Sequence, residues 1–244
     1  MAELPHEPHS RLRSESVRHV WHRVQAVCFD VDSTVIPHEG LDLVAELCGR
    51  PVSALTQQAM AGSIPFEKAL EQRLDHIRPT RADIDRCIQT YFAPPALVAG
   101  VHELTQLLLA RGVLVFLVSG GFELMVHHVA DALGLPRSHV FANRLIFSDA
   151  DAEGRYLGYD PEAFTSRSGG KAAAVAHIKH HYRCDVVAMI GDGMTDAEAR
   201  PPADIFIGFG GVVVRESVRA KSDEFIESFE PLLAEERLIR APAT

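Results

Sequence analysis

The sequence predicts an α/β fold: a doubly wound parallel sheet with a helical cap inserted after its first strand. Three observations point there. Four short apolar runs each end abruptly in polar or glycine residues. Helix-like stretches, with apolar residues at spacings of three and four, lie between them. One long block, residues 40–92, breaks the alternation with consecutive helical patterns. Strand, loop, helix, strand is the pattern of a parallel sheet covered by helices.

In chain order, residues 1–20 carry His6, His9 and His19 among Pro, Arg, Glu and Ser, with no apolar stretch of the kind a secretory signal needs. They read as a flexible arm or leading helix. Val24 to Phe29 is the first strand and runs into Asp30-Val31-Asp32-Ser33-Thr34. Leu41 to Cys48, Val52 to Ala61, Phe66 to Ile77 and Arg81 to Phe92 read as cap helices, punctuated by Pro51, Pro65 and Pro79. A helix from Val101 to Arg111 then leads into the strand Val113 to Val118, which ends in Ser119-Gly120-Gly121 ahead of the helix Phe122 to Leu133. Val140 to Phe147, an acidic turn over Asp149 to Gly154, and Arg155 to Tyr159 read as a peripheral antiparallel hairpin. Val186 to Ile190 runs into Gly191-Asp192-Gly193, and Ala203 to Ile207 into Gly208-Phe209-Gly210-Gly211. The expected division is therefore an arm (1–20), a core (21–38 and 96–230), a cap (39–95) and a C-terminal tail (231–244).

Composition narrows the function. The chain has 244 residues, is 47% hydrophobic and 23% charged, and has no run near the roughly 18 apolar residues of a membrane span, so no membrane association is expected. A net charge of −9 has the wrong sign for covering nucleic-acid phosphates, so nucleic acid is not an expected partner. Cys28, Cys48, Cys87 and Cys184 form no C-x-x-C pair and mostly sit in apolar stretches, reading as buried thiols in a reducing cytoplasm.

In doubly wound sheets ligands bind beyond the carboxyl ends of the strands, so the four polar clusters converge on one site. Two carboxylates two residues apart after a buried strand, Asp30 and Asp32, need not be equivalent: one can face a metal while the other is held protonated. Ser168-Gly169-Gly170-Lys171 lacks the spacing of a nucleotide-binding P-loop, and Gly208-Phe209-Gly210-Gly211 has Val213 where a dinucleotide fingerprint needs its third glycine.

Asp30-Val31-Asp32-Ser33-Thr34, Ser119, Lys171 and Gly191-Asp192-Gly193-Met194-Thr195-Asp196 together resemble the four ordered motifs of the haloacid dehalogenase superfamily of phosphotransferases. From about Val24 to Phe229 the resemblance extends to phosphoserine phosphatases, carried also by Phe122, by Val140-Phe141-Ala142-Asn143-Arg144-Leu145 and by Pro201-Pro202-Ala203-Asp204. It implies a magnesium-dependent phosphatase acting on phosphoserine. Asp30 would be the nucleophile and Asp32 the general acid and base. Asp30, Asp192 and the Asp32 backbone carbonyl would hold Mg2+, with Asp196 orienting the metal's shell. An all-oxygen ligand set suits that ion.

Ser119 with the amides of Gly120 and Gly121, expected at a helix start, and Lys171 would bind the phosphoryl group. Thr195, inside the fourth motif, joins the substrate-binding set. The resemblance also implies that Glu39 and Arg73 hold the amino acid's ammonium and carboxylate, complementary charges for such a substrate. Met60 and Phe66 would wall its carbon chain. Two positions depart from the pattern: Ala61 replaces a usual glycine, and Val212 stands where asparagine commonly follows the paired glycines. A phosphatase for another small phosphate monoester shares the same core motifs, and only the cap separates the two readings. A phosphorylated signalling domain also has an aspartate at a strand end; the helical insertion and Asp32 argue against it. The sequence leaves the oligomeric state open, a homodimer included.

Overall fold

The computed structural model describes residues 11–52, 65–150 and 152–240. The chain runs through α1 (Glu15–Trp21), β1 (Ala26–Phe29), α2 (Gly40–Leu47), α3 (Phe66–Ile77), α4 (Arg81–Tyr91), α5 (Val101–Ala110), β2 (Leu114–Phe122) and α6 (Glu123–Leu133). It continues through β3 (Val140–Asn143), β4 (Leu145–Phe147), β5 (Tyr156–Tyr159), α7 (Gly170–Tyr182), β6 (Val187–Gly191), α8 (Met194–Ala197), β7 (Ile205–Phe209), α9 (Glu216–Arg219), β8 (Glu224–Ile226) and α10 (Glu230–Arg240).

The main sheet has the order β3-β2-β1-β6-β7-β8, and every pairing in it is parallel. Successive side chains of a strand face opposite sides, and both sides here are buried. Val27 and Phe29 join Val115, Leu117, Ala188 and Ile190 in one apolar layer. Ala26 and Cys28 join Phe116, Val118, Val187 and Met189 in the other, against Ala174, Val175 and Ile178 of α7. That two-sided burial explains why the strands read as unbroken apolar runs. The chain steps outward from β1 to β2 and β3, then returns to β6 on the other side of β1. The crevice of this switch point lies at the carboxyl ends of β1 and β6, where Asp30 and Asp192 follow.

Between β1 and α5 the chain makes the expected helical insertion. α4 starts with a capping box: Asp83 N–H donates to Thr80 Oγ1 at 3.1 Å and Thr80 N–H to Asp83 Oδ2 at 2.9 Å. Leu41, Val44, Leu70, Leu74 and Ile84 of the insertion are buried in the same apolar layer as Phe29 and Leu117. The rim of the insertion also docks through backbone alone, Arg81 N–H to Gly154 O at 2.8 Å and Ala82 N–H to Glu153 O at 3.1 Å. The predicted helix Val52 to Ala61 falls almost wholly outside the described residues.

Among the described residues, the structure departs from the expected elements at several places. The stretch Val140 to Phe147 is not one hairpin arm: β3 adds to the main sheet beside β2, and only β4 pairs antiparallel with β5. Buried Asn143 marks the break, because its side chain is bound on the main-sheet side. A sixth strand, β8, went unread; it is three residues long and begins with a glutamate. Residues 231–240, expected as a tail, belong to α10, which buries Leu232 and Leu233.

α10 also buries two adjacent acids. Glu235 accepts from Arg11 Nε at 3.3 Å and lies 3.1 Å from His22 Nε2, just past α1. Glu236 Oε1 lies 3.2 Å from Arg111 Nη2. Among the described residues, no helix is long and apolar enough to cross a membrane.

Candidate active site

Asp30, Asp192 and Asp196 are buried with a carboxylate oxygen of each within 4.8 Å of the others. The chain brings them together from two adjacent strand ends. Asp30 follows β1, and its N–H donates to Ile190 O of β6 at 2.8 Å. Asp192 follows β6, and Asp196 lies one turn on in α8. Gly191 permits this proximity: a Cβ there would stand 2.3 Å from Asp196 Cγ.

Lys171, in the first turn of α7, balances part of the charge. Its Nζ lies 2.8 Å from Asp30 Oδ1 and 2.7 Å from Asp196 Oδ1. Desolvation works against the ammonium, but the charges of Asp196 and Asp30 outweigh it and hold the lysine above its ordinary range. Asp196 is pushed up to about 7 by burial and then by the Asp30 charge, while Lys171 and the Gly193 N–H pull the other way. Asp30 Oδ1 also accepts the Val31 N–H at 2.7 Å. Three clustered carboxylates facing limited compensation form an all-oxygen donor set that fits a small, hard divalent cation.

Asp32 is partly exposed as a residue, yet its carboxyl is desolvated. That desolvation, then the charges of Glu39 and Asp30, hold it well above the usual carboxylate range, opposed by the Gly40 N–H and Lys171. Glycines flank it: a Cβ on Gly40 or on Gly121 would stand 3.4 Å from one of its oxygens. Asp32 is not in the three-carboxylate cluster, which takes Asp196 instead.

Ser119 is buried, and its Oγ accepts the Gly121 N–H at 2.9 Å. This corrects the expected geometry of the loop. β2 continues through Phe122, α6 begins only at Glu123, and the Gly121 amide is turned inward on Ser119. Four residues of β2 span two of β3 here, so the strand bulges at the site. Asn143 fixes that bulge, its Nδ2 donating to Gly120 O at 2.8 Å while its Oδ1 accepts from Thr165 Oγ1 at 3.1 Å.

From the insertion, the Phe66 ring lies over Gly120, where a Cβ would come within 3.4 Å of Phe66 Cζ. Glu39 accepts from Ser33 Oγ at 2.7 Å; desolvation raises its carboxyl, and the Ser33 bond opposes the rise. Arg73 donates from Nε to Ala69 O at 3.2 Å. Desolvation lowers its guanidinium, while the charges of Asp42, Glu39 and Asp32 act in the other direction. Thr195 sits partly exposed in α8 beside Gly193, and Val212 is partly buried in the loop after β7. Met60 and Ala61 lie outside the described residues.

Two further side chains, to which the sequence reading gives no role, meet the site. Thr34 donates from Oγ1 to Asp192 Oδ1 at 3.2 Å. Arg215 ion-pairs with Asp192 Oδ2, donates to the Asp192 carbonyl at 3.2 Å and lies 4.0 Å from Glu39. Thr34 belongs to the first motif and was legible as such. Arg215 has no motif; its only signal is a cation in the loop after the last strand-end cluster.

Comparison with known proteins agrees with this architecture. The sequence model of haloacid dehalogenase-like hydrolases matches residues 27–199. Phosphoserine phosphatase of Bos taurus is 46% identical over 219 residues, 89% of this chain and 95% of that protein. The structure of DsGPDH of Dunaliella salina is 37% identical with a TM-score of 0.79, covering 94% of this chain and 38% of that one. A substrate-bound phosphoserine phosphatase complex is 26% identical with a TM-score of 0.72, covering 89% of this chain and 99% of that one. The chain belongs to the haloacid dehalogenase-like hydrolases and, within them, to the phosphoserine phosphatase family.

Proposed function

We propose that this protein hydrolyses O-phosphoserine to serine and phosphate through an aspartyl phosphate on Asp30, the last step of serine biosynthesis. The observation that carries the reading is the contrast between two neighbouring acids. Asp30 is ion-paired with the Lys171 ammonium at 2.8 Å, whereas Asp32 is held well above the usual carboxylate range. An ionised nucleophile beside a protonated acid is what the first half-reaction needs.

Oδ1 of Asp30 is engaged by Lys171 and the Val31 N–H, and we assign Oδ2 to the in-line attack on phosphorus. The Asp32 proton passes to the departing serine oxygen. The resulting carboxylate then takes a proton from the water that cleaves the aspartyl phosphate. Ser119 accepts the Gly121 N–H, so its own hydroxyl proton is assigned to a phosphoryl oxygen, and Lys171 supplies fixed positive charge beside it. Thr195 and the Gly120 amide complete the phosphoryl side, while the Gly121 amide holds the Ser119 hydroxyl.

Asp30, Asp192 and the Asp32 carbonyl would hold Mg2+, with Asp196 oriented between Lys171 and the Gly193 N–H. When bound, the ion neutralises charge that would otherwise repel the nucleophile from the phosphate dianion.

Glu39 is assigned to the substrate ammonium and Arg73 to its carboxylate, with Phe66 and Met60 against the carbon chain. In this reading residues 39–95 close as a cap over a core of 21–38 and 96–230 and exclude bulk water. Four free thiols, Cys28, Cys48, Cys87 and Cys184, suit a reducing compartment, and we assign the protein to the cytoplasm.

A phosphate-release screen over phosphorylated metabolites, with magnesium and with excess chelator, tests the reading. Phosphoserine is expected clearly first and only with magnesium. Broad, even activity would move the assignment to another small phosphate ester, and full activity in chelator would overturn the cofactor.

A further inference from the structure

The first turn of α3 is fastened to the loop that delivers Lys171. Glu67 Oε2 accepts two hydrogen bonds from one residue, the Ser168 N–H at 3.0 Å and the Ser168 hydroxyl at 2.8 Å. Ser168 Oγ in turn accepts the Phe66 N–H at 3.4 Å. Both partners face solvent, yet they join residues a hundred positions apart, from the insertion to the core.

What lies on either side of this contact gives it meaning. Toward the insertion, Phe66 carries the ring that covers Gly120. Toward the core, the chain has little slack between Ser168 and Lys171. Gly169 adopts a left-handed conformation at φ 70°. Gly170 is packed so closely on the Phe164 carbonyl that a Cβ would stand 2.0 Å from its oxygen. Lys171 then enters α7 and reaches Asp30 and Asp196.

We propose that Glu67 and Ser168 form a latch that holds this end of the insertion, with the Phe66 ring, closed over the site. Neither touches the reacting atoms; both are positioning residues. An exposed, charge-assisted contact is weak enough to open and close with turnover. The inference rests on the phosphoserine reading only for the choice of substrate. The backbone contacts of Arg81 and Ala82 with residues 153–154 are untouched by substitution at 67 or 168, so variants there report on this end alone.

The test compares Glu67→Ala, Ser168→Ala and the double variant by amide hydrogen exchange and by steady-state kinetics. In Glu67→Ala, exchange is expected to speed up together over residues 66–77 and 166–170. KM for phosphoserine should rise by about two- to five-fold, the scale of an exposed charged contact, with kcat not reduced. The double variant should be no worse than Glu67→Ala, because both substitutions remove one interaction. Unchanged exchange, additive effects, or a fall in kcat at constant KM would each overturn the latch. Failure of the wild type to turn over phosphoserine would refute the substrate reading and leave the exchange measurement to decide the latch.

Discussion

The Lys171 ammonium and the Asp196 carboxylate lie 2.7 Å apart, both buried, and Lys171 is also the near cation for Asp30. Lys171→Met should therefore destabilise the protein by about 3–5 kcal/mol in chelator, since removing one member of a buried charged set leaves the others uncompensated. Urea unfolding measures the loss. Asp196→Asn in the same background should recover part of it, and no recovery would mean that Lys171 acts through packing alone.

Asp30→Asn should abolish turnover and any trapped phosphoenzyme, because an amide is a poor nucleophile. Asp32→Asn should slow phosphoserine hydrolysis by about 10²-fold or more, the scale of general acid–base catalysis, and slow phosphoenzyme formation from an activated aryl phosphate less. Rapid quench with labelled substrate separates the two steps. A label recovered on Asp32 would reverse the assignment.

Arg73→Ala should lower kcat/KM for phosphoserine by about 10²-fold, reflecting a carboxylate desolvated without its partner, at roughly 1.4 kcal/mol per decade. For p-nitrophenyl phosphate, which has no carboxylate, the change should stay within a few-fold. Parallel losses on both esters would make Arg73 a support of the fold.

Asn143→Leu should cost about 1–3 kcal/mol, because it strands the Gly120 carbonyl and the Thr165 hydroxyl without their buried partner. Activity should fall as well, since the bulge that carries Ser119 loses its brace. Thermal unfolding and kcat together check this. A stable variant with unchanged kcat would show that β2 holds its bulge unaided.

The thiols set an alkaline limit. Burial pushes Cys48 up to about 11 and Cys87 to about 12, with Asp83 adding to the effect on Cys48 and Cys48 to that on Cys87. The unfolded chain releases these protons near pH 8.5–9, before the folded one does, so stability should fall as pH rises from about 9 toward the folded values. Unfolding free energy measured from pH 7 to 11 should decline, and a thiol reagent at pH 8 should react slowly until denaturant is added. Rapid labelling of Cys87 in the native protein would contradict its burial.

The strand ends were legible because two-sided burial forces continuous apolar runs, and the chemistry sits where those runs stop. Asp30, Ser119, Lys171 and Asp192 follow from that rule and from motif order. What escaped reading depends on partners distant in sequence. β8 is recognisable as a strand only beside β7. Val140 to Phe147 divides at Asn143 because Gly120 and Thr165 bind that side chain. The amphipathic α10 was missed because Glu230, Glu235, Glu236, Arg237 and Arg240 interrupt its apolar pattern and its buried side is defined only against α5. Arg215 meets Asp192 and Glu39 from a loop with no periodicity to betray it.

The helices at the two ends of the described chain share one carboxylate: Glu235 of α10 meets both Arg11 and His22, on either side of α1. The first and last elements are thus stitched by a charge buried between them, and the fold is cinched like a belt whose buckle is Glu235. Trimming before α1 would take Arg11 from that buried acid and leave it His22 as its partner. Trimming α10 would remove Leu232 and Leu233 and uncover the apolar side of α5.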